Sequence, residues 1–199
     1  MAEKAAQKTA KRGGGKRERL AAAAVRVLHE QGVEKTTLAD IAKVADVPVG
    51  NVYYYFKTKD DLVAAAIGEH DRQLTELIAA LEQLPTPQDR LKALVQGWAD
   101  QRDTAARFGC PFGTLSSELD KRDDGDAGLD RTAATVMTRL LGWIEEQFRE
   151  LAPEQDPRGN AVALLSAYQG MSLLTNTFRD PQLMLDQGSR LTAWIDSLT

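Results

Sequence analysis

Apolar side chains recur at three- and four-residue spacing from Leu62 almost to the C-terminus, without strand-like alternation, a period that predicts helix after helix. The first of these, Thr58 to about Leu84, carries Leu62, Ala66, Leu74, Leu77, Ile78 and Leu81 on one face, and a helix of that length spans about 40 Å. Thr86, Pro87 and Asp89 open the next, whose face is Leu91, Leu94, Val95, Trp98 and Arg102, with Gly109 and Pro111 stopping it. A short piece, Thr114 to Lys121, leads into an acidic, glycine-containing loop, Asp123 to Gly128, expected to be exposed and mobile. The cleanest period follows: Leu129, Ala133, Val136, Met137, Leu140, Leu141, Ile144, Phe148 and Leu151 form an interior wall.

Two more helices close the chain. Asp156 caps and Pro157 opens the first, and from Gly159 through Thr177 no residue is charged, so this helix is covered on more than one side. Asn160, Ser166, Gln169, Ser172, Thr175, Asn176 and Thr177 interrupt the run too often for a membrane span. Asp180 and Pro181 repeat the start signal, and Met184, Gly188, Leu191, Ile195 and Leu198 follow as a seam. With Leu164, Leu165 and Tyr168 of the preceding helix, that seam can pair with a second copy as a four-helix bundle, or pack within its own chain.

The segment from Thr36 to Leu62 has a different character, short helices joined by a tight turn. Thr37 caps a helix with Leu38, Ile41, Ala42 and Ala45 inward, and Asp40 completes a T-x-x-D box. Asp46, Val47 and Pro48 make the turn, with Pro48 suited to the first position of a helix running to about Phe56. Val52 and Phe56 share its inner face, which turns Gly50, Asn51 and Tyr54 outward and leaves Tyr53 and Tyr55 on the flanks. Lys57 and Lys59 follow, with Thr58 and Asp61 as a second T-x-x-D box. An amide and three tyrosines suit a major groove: Asn pairs with an adenine edge, tyrosine hydroxyls and helix-end amides hold phosphates, and Gly50 lets the backbone approach. A three-helix packing unit with an aromatic surface is the plainer alternative.

Residues 16 to 62 resemble the DNA-binding domain of the tetracycline-repressor family of bacterial transcription regulators, whose pattern is roughly G-x-x-x-T-T-x-x-x-I-A-x-x-A-x-V-x-x-G-x-x-Y-x-x-F-x-x-K-x-x-L. Gly32, Thr36, Thr37, Ile41, Ala42, Ala45, Val47, Gly50, Tyr53, Phe56, Lys59 and Leu62 match it in register. The resemblance implies phosphate contacts at Thr37, Tyr53 and Lys59 and base or groove contacts at Val49, Gly50, Asn51, Tyr54 and Tyr55. Pro48 stands where many members carry a capping Ser and Tyr55 where many carry His, so individual base contacts do not carry over. It also implies an all-α chain: an N-terminal three-helix helix-turn-helix domain and a larger C-terminal helical domain for ligand binding and dimerisation. The expected division is residues 1–15 as a disordered basic arm, 16–60 as the DNA-binding domain and 61–199 as the second domain. The expected partners are a palindromic double-stranded operator, a second copy of the chain and a small-molecule inducer.

Charge follows the same division. Residues 1–60 hold 12 Lys and Arg against 7 Asp and Glu, whereas residues 61–199 hold 13 against 22. In the arm and just after it, Lys11, Arg12, Lys16 and Arg17 can follow the DNA backbone, or belong to a solvated tail. A single cysteine excludes an intrachain disulfide, and the basic N-terminus lacks the apolar run of a signal peptide, so a cytoplasmic protein is expected.

The large or polarisable residues of the second region, Trp98, Phe108, Cys110, Phe112, Leu115, Met137, Trp143, Tyr168, Met171 and Phe178, are candidate walls of a ligand cavity or ordinary core. Tyr168, Gln169 and Asn176 can orient a ligand or bond backbone. Cys110 sits at a helix break between Gly109 and Pro111, with Arg107 near enough to favour its reactive form and Phe108 and Phe112 opposing it. The segment is similar to a G-C-x-x-G stretch in family members that sense electrophiles or oxidants, which makes a Cys110 thiol sensor the alternative reading. Catalysis finds no support: His29 and His70 lie apart, and no HExxH, phosphate loop or nucleophile elbow is present, so neither metal nor cofactor is expected. A helical protein-binding adaptor is the remaining alternative, marked by a large exposed apolar patch and no salt-sensitive DNA binding.

Overall fold

The computed structural model describes residues 15–122 and 128–198, which hold ten α-helices and no strand among them. The proposed basic arm, with Lys11 and Arg12, and nearly all of the acidic loop before Gly128 lie outside the described residues. Helices α1 (Lys16–Gln31), α2 (Leu38–Ala45) and α3 (Val49–Tyr55) precede α4 (Lys59–Leu81). Then come α5 (Pro87–Asp100), α6 (Arg102–Phe108), α7 (Pro111–Asp120), α8 (Leu129–Leu151), α9 (Pro157–Phe178) and α10 (Gln182–Asp196). Packing divides the chain into one unit ending at Glu69 and another beginning at His70, so α4 contributes to both.

The first unit is built on small and branched residues at helical spacing. Leu20, Ala24 and Val27 of α1 are buried with Ile41 and Ala42 of α2, Val52 of α3, and Leu62 and Val63 of α4. Gly32 ends α1 at φ 81°, a left-handed conformation that glycine adopts without steric cost, and its N–H donates to the Leu28 carbonyl at 2.8 Å. The buried Thr36 hydroxyl donates to the Gly32 carbonyl at 2.6 Å, which ties the connection to α2. Lys16 and Arg17, just past the expected arm, open α1, and the Arg17 guanidinium lies over the Phe56 ring, 5.3 Å from its centroid.

In the second unit α8 packs on α9 and α5, α10 on α5 and α9, and α6 on α9. Its core joins Leu91, Leu94 and Trp98 to Ile144 and Phe148, Leu164 and Met171, and Met184 and Ile195. The Trp98 and Tyr168 rings stack at 4.2 Å, 16° from parallel.

Several sequence expectations change here. The helix from Pro87 breaks at Gln101, and α6 continues separately with Arg102 in its first turn. The stop expected at Gly109 and Pro111 is where α6 ends, with Gly109 as its C-cap, and Pro111 also opens α7, because a proline costs nothing at a position whose N–H lacks an intrahelical partner. The first long helix runs from Lys59 to Leu81, and Leu77, expected inside, is exposed. The residues expected at a dimer seam lie inside this one chain. Leu164, Leu165, Tyr168, Met184, Gly188 and Ile195 are buried, and Leu191 and Leu198 are half-buried against the same core. The reason is close packing of α10 on α5: a Cβ on Gly188 would lie 3.5 Å from the Ala99 Cβ. The face of α9 left uncovered carries Val162, Leu173, Leu174 and Phe178.

These placements predict opposite outcomes for two phenylalanines. Phe148→Ala, in the core, should lower stability by about 3–5 kcal/mol in a denaturant titration, whereas Phe178→Ala should leave an isolated chain within about 0.5 kcal/mol of the parent.

Candidate nucleic-acid interface

The candidate interface is made by three residues of turn between two short helices. At the start of α2 the Thr37 Oγ1 accepts the Asp40 N–H at 3.2 Å, and the Asp40 carboxylate accepts the Thr37 N–H at 3.0 Å and its hydroxyl at 2.6 Å. Those bonds from Thr37 hold the Asp40 carboxyl below the usual carboxylate range. The amides of Leu38 and Ala39, in the first turn, have no intrahelical acceptor and remain available to an anion. Asp46 then adopts a left-handed conformation at φ 53°, and the Val47 N–H returns to the Ala42 carbonyl at 3.0 Å. Pro48 is the N-cap of α3 and not its first helical residue; its carbonyl accepts the Asn51 N–H at 2.8 Å.

Val52 and Phe56 are buried, which sets the rotation of α3 and decides what faces water. Tyr54 is 76% exposed, Tyr53 and Val49 are exposed, and Asn51 and Tyr55 are half-buried. The Tyr54 and Tyr55 rings meet edge to face at 4.9 Å, bracing each other. Gly50 is exposed, has no left-handed backbone, and a Cβ built on it would meet nothing within 4 Å. Inside the head, therefore, nothing requires a glycine there, although glycine weakens a helix. With its side chains a helix is about 10–12 Å across, which suits a major groove about 12 Å wide.

The flanking cations are pre-organised. Lys57 Nζ donates to the Tyr53 carbonyl at 2.6 Å and Lys59 Nζ to the Glu34 carbonyl at 2.8 Å. An ammonium has three N–H bonds, so each lysine retains donors for a phosphate. The Asp61 carboxylate accepts the backbone N–H groups of Thr58 and Lys57 at 2.9 and 2.8 Å, which hold its carboxyl below the usual range. The Glu34 contact spans 25 residues and has no local signal in the sequence.

The residues expected to line a ligand cavity do not all meet. Trp98, Cys110, Leu115, Tyr168 and Met171 are buried, and Phe108, Phe112, Met137 and Trp143 are half-buried. Phe178 is 65% exposed near the end of α9 and faces no interior. Cys110 is the N-cap of α7, and its sulfur accepts the Gly113 N–H at 3.2 Å and the Gln169 amide at 3.7 Å. The Arg107 guanidinium lies over the Phe108 ring, 4.8 Å from its centroid, where stacking holds it. Burial pushes the Tyr168 phenol well above its ordinary range, with the neighbouring Cys110 adding to the effect. Asn176 donates to the Ala106 carbonyl at 3.2 Å. Ser172 and Thr175, one and two turns along α9 from Tyr168, bury hydroxyls that have no hydrogen-bond partner, a feature that periodicity does not report. A separate open groove of about 370 Å3 between α5 and α10, lined by Gln96, Ser189, Thr192 and Asp196 among others, shares no residue with that set.

Among the described residues no helix is long and apolar enough to cross a membrane, and no group of three or more His, Cys, Asp and Glu is placed to hold a metal ion.

Residues 20–66 match the profile of the bacterial regulatory proteins of the tetR family. The chain is 31% identical over 163 residues to the HTH-type transcriptional regulator BetI of Stenotrophomonas maltophilia, covering 79% of this chain and 80% of that protein. Its fold is similar to the crystal structures of SCO4454, a TetR-family transcriptional regulator from Streptomyces coelicolor, and of a TetR regulator from Legionella pneumophila. The TM-scores are 0.76 and 0.79, the identities 20% and 15%, and the shared parts cover 92% and 94% of this chain and 93% and 98% of those chains.

Gly50→Ala separates the needs of the fold from those of the ligand. It should raise the stability of the head by about 0.5–1 kcal/mol on thermal melting. The same variant should lose affinity for duplex DNA in an anisotropy titration, and equal or better binding would show that nothing approaches Gly50.

Proposed function

Because the chain belongs to the tetR family of bacterial regulatory proteins, and is a DNA-binding transcription regulator and not an enzyme, we propose that it is a homodimeric cytoplasmic repressor, released from a palindromic operator by a small molecule. The first unit would bind DNA; the second would take the inducer and pair the copies. The observation that carries this reading is the outward face of α3, a tyrosine- and amide-bearing rod whose inner residues Val52 and Phe56 are sealed in the head. Asn51 would pair with an adenine edge, Tyr54 and Tyr55 would meet bases or groove wall, and Thr37, Tyr53, Lys57 and Lys59 would hold phosphates. Two copies of α3, about 34–36 Å apart, would read two half-sites.

Dimerisation would use the uncovered side of α9, where Val162, Leu173, Leu174 and Phe178 flank the side-chain-poor Gly170. An exposed apolar strip on a helix without charge from Gly159 to Thr177 is a surface made for a like surface. The inducer would lie beside Tyr168 in the second unit, where the unpartnered hydroxyls of Ser172 and Thr175 offer hydrogen bonds. Arg139 joins α8 to α4 through Asp71 and, at 2.9 Å, Thr75, while Phe112 of α7 meets His70 edge to face at 5.2 Å. A guest that displaces α7 or α8 would thereby bias α4, and about 1–3 kcal/mol of coupling is typical of such linkage.

Selection from random duplexes with the full chain should return an inverted repeat, and the absence of any duplex binding at low salt would end this reading. Leu173→Glu with Leu174→Glu should convert a dimer to monomers in sedimentation and reduce operator affinity by at least about tenfold, while leaving the helical signal intact.

A thiol switch is the second reading, favoured by the two N–H donors that face the Cys110 sulfur. Cys110→Ser should then abolish release of DNA by an oxidant or electrophile. Unchanged release would return Cys110 to the core.

A further inference from the structure

We propose that Val49 reads a thymine through its C5-methyl group, so that each half-site carries one thymine whose methyl is needed for full affinity. The inference rests on α3 being the helix that enters the groove. Of the side chains of α3 that reach solvent, those of Asn51, Tyr53, Tyr54 and Tyr55 carry a polar atom and that of Val49, at the start of the helix, carries none. Val49 therefore cannot bond a phosphate or a base-edge donor or acceptor, yet 44% of it stands in water in the first turn of α3. A β-branched residue there gains little from helix propensity, and nearly half of its surface is left outside the head's core. The adjoining Gly50, with open space where its Cβ would be, removes the bulk that would hold the isopropyl group away from a surface. In a major groove, thymine alone presents an apolar group, the C5-methyl, while the other bases present donors and acceptors. The valine and the methyl are each the other's complement.

Val44 is the internal control. It is 43% exposed, has the same side chain and belongs to the same head, but lies on α2, before the turn.

The test uses the full-length protein and an operator obtained by selection, with each thymine replaced in turn by uracil, which removes the methyl and keeps every hydrogen-bonding group. One thymine per half-site should show a loss of about fourfold in affinity, the factor that corresponds to one buried methyl. Val49→Ala should bind the thymine operator more weakly and be indifferent to uracil at that position. Val44→Ala should keep the full uracil penalty. Thermal melting confirms that both variants fold. If every uracil duplex binds as the parent does, or if Val49→Ala retains the penalty, the methyl contact is wrong and the reading of α3 stands. If the parent protein binds no duplex at all, that reading falls and the methyl contact with it.

Discussion

The candidate interface depends on the burial of two side chains. A helix of seven residues has too few hydrogen bonds to persist alone in water, so α3 exists because Val52 and Phe56 are driven into the head. The same burial fixes its rotation: each residue advances by about 100°, and with positions 52 and 56 inside, positions 50 and 54 must face out. Arg17 over the Phe56 ring closes the pocket from the α1 side. The outer chemistry of α3 can then vary without disturbing the fold, a useful property in a family whose members must distinguish operators.

The second unit solves a different problem with α9. One side, through Leu164, Tyr168, Met171 and Thr175, belongs to the core, and the other is apolar and uncovered. Its interior contains groups that an inert core avoids: a thiol with two N–H donors, a phenol stacked on Trp98, and two hydroxyls without partners. Buried polarity of this kind costs stability, and the inducer reading gives it a use.

What could be read from the sequence was what local chemistry determines. Both T-x-x-D boxes, at Thr37 and Thr58, close over three residues and stand as expected. The Asp156 cap and the ends of α8, Leu129 and Leu151, are also where capping and periodicity put them. The break at Gln101 has neither glycine nor proline to announce it; α5 packs chiefly on α10 and α8, whereas α6 packs chiefly on α9. Periodicity identified Met184, Gly188 and Ile195 as covered without saying by what, and the cover is α5 of the same chain. Lys59 and Glu34, and Arg107 and Phe108, show the other limit, since a long cation goes wherever a carbonyl or ring is within reach.

The bare side of α9 also bears on how the protein behaves when scarce. A solitary copy leaves Leu173 and Phe178, each 65% exposed, wetted on a helix uncharged from Gly159 to Thr177, with little there to keep it from clinging to other surfaces. Whatever covers that strip adds to the stability of the chain by mass action. Heat resistance and solubility would then depend on dosage, with freshly made, dilute molecules the most vulnerable to proteolysis until they find company.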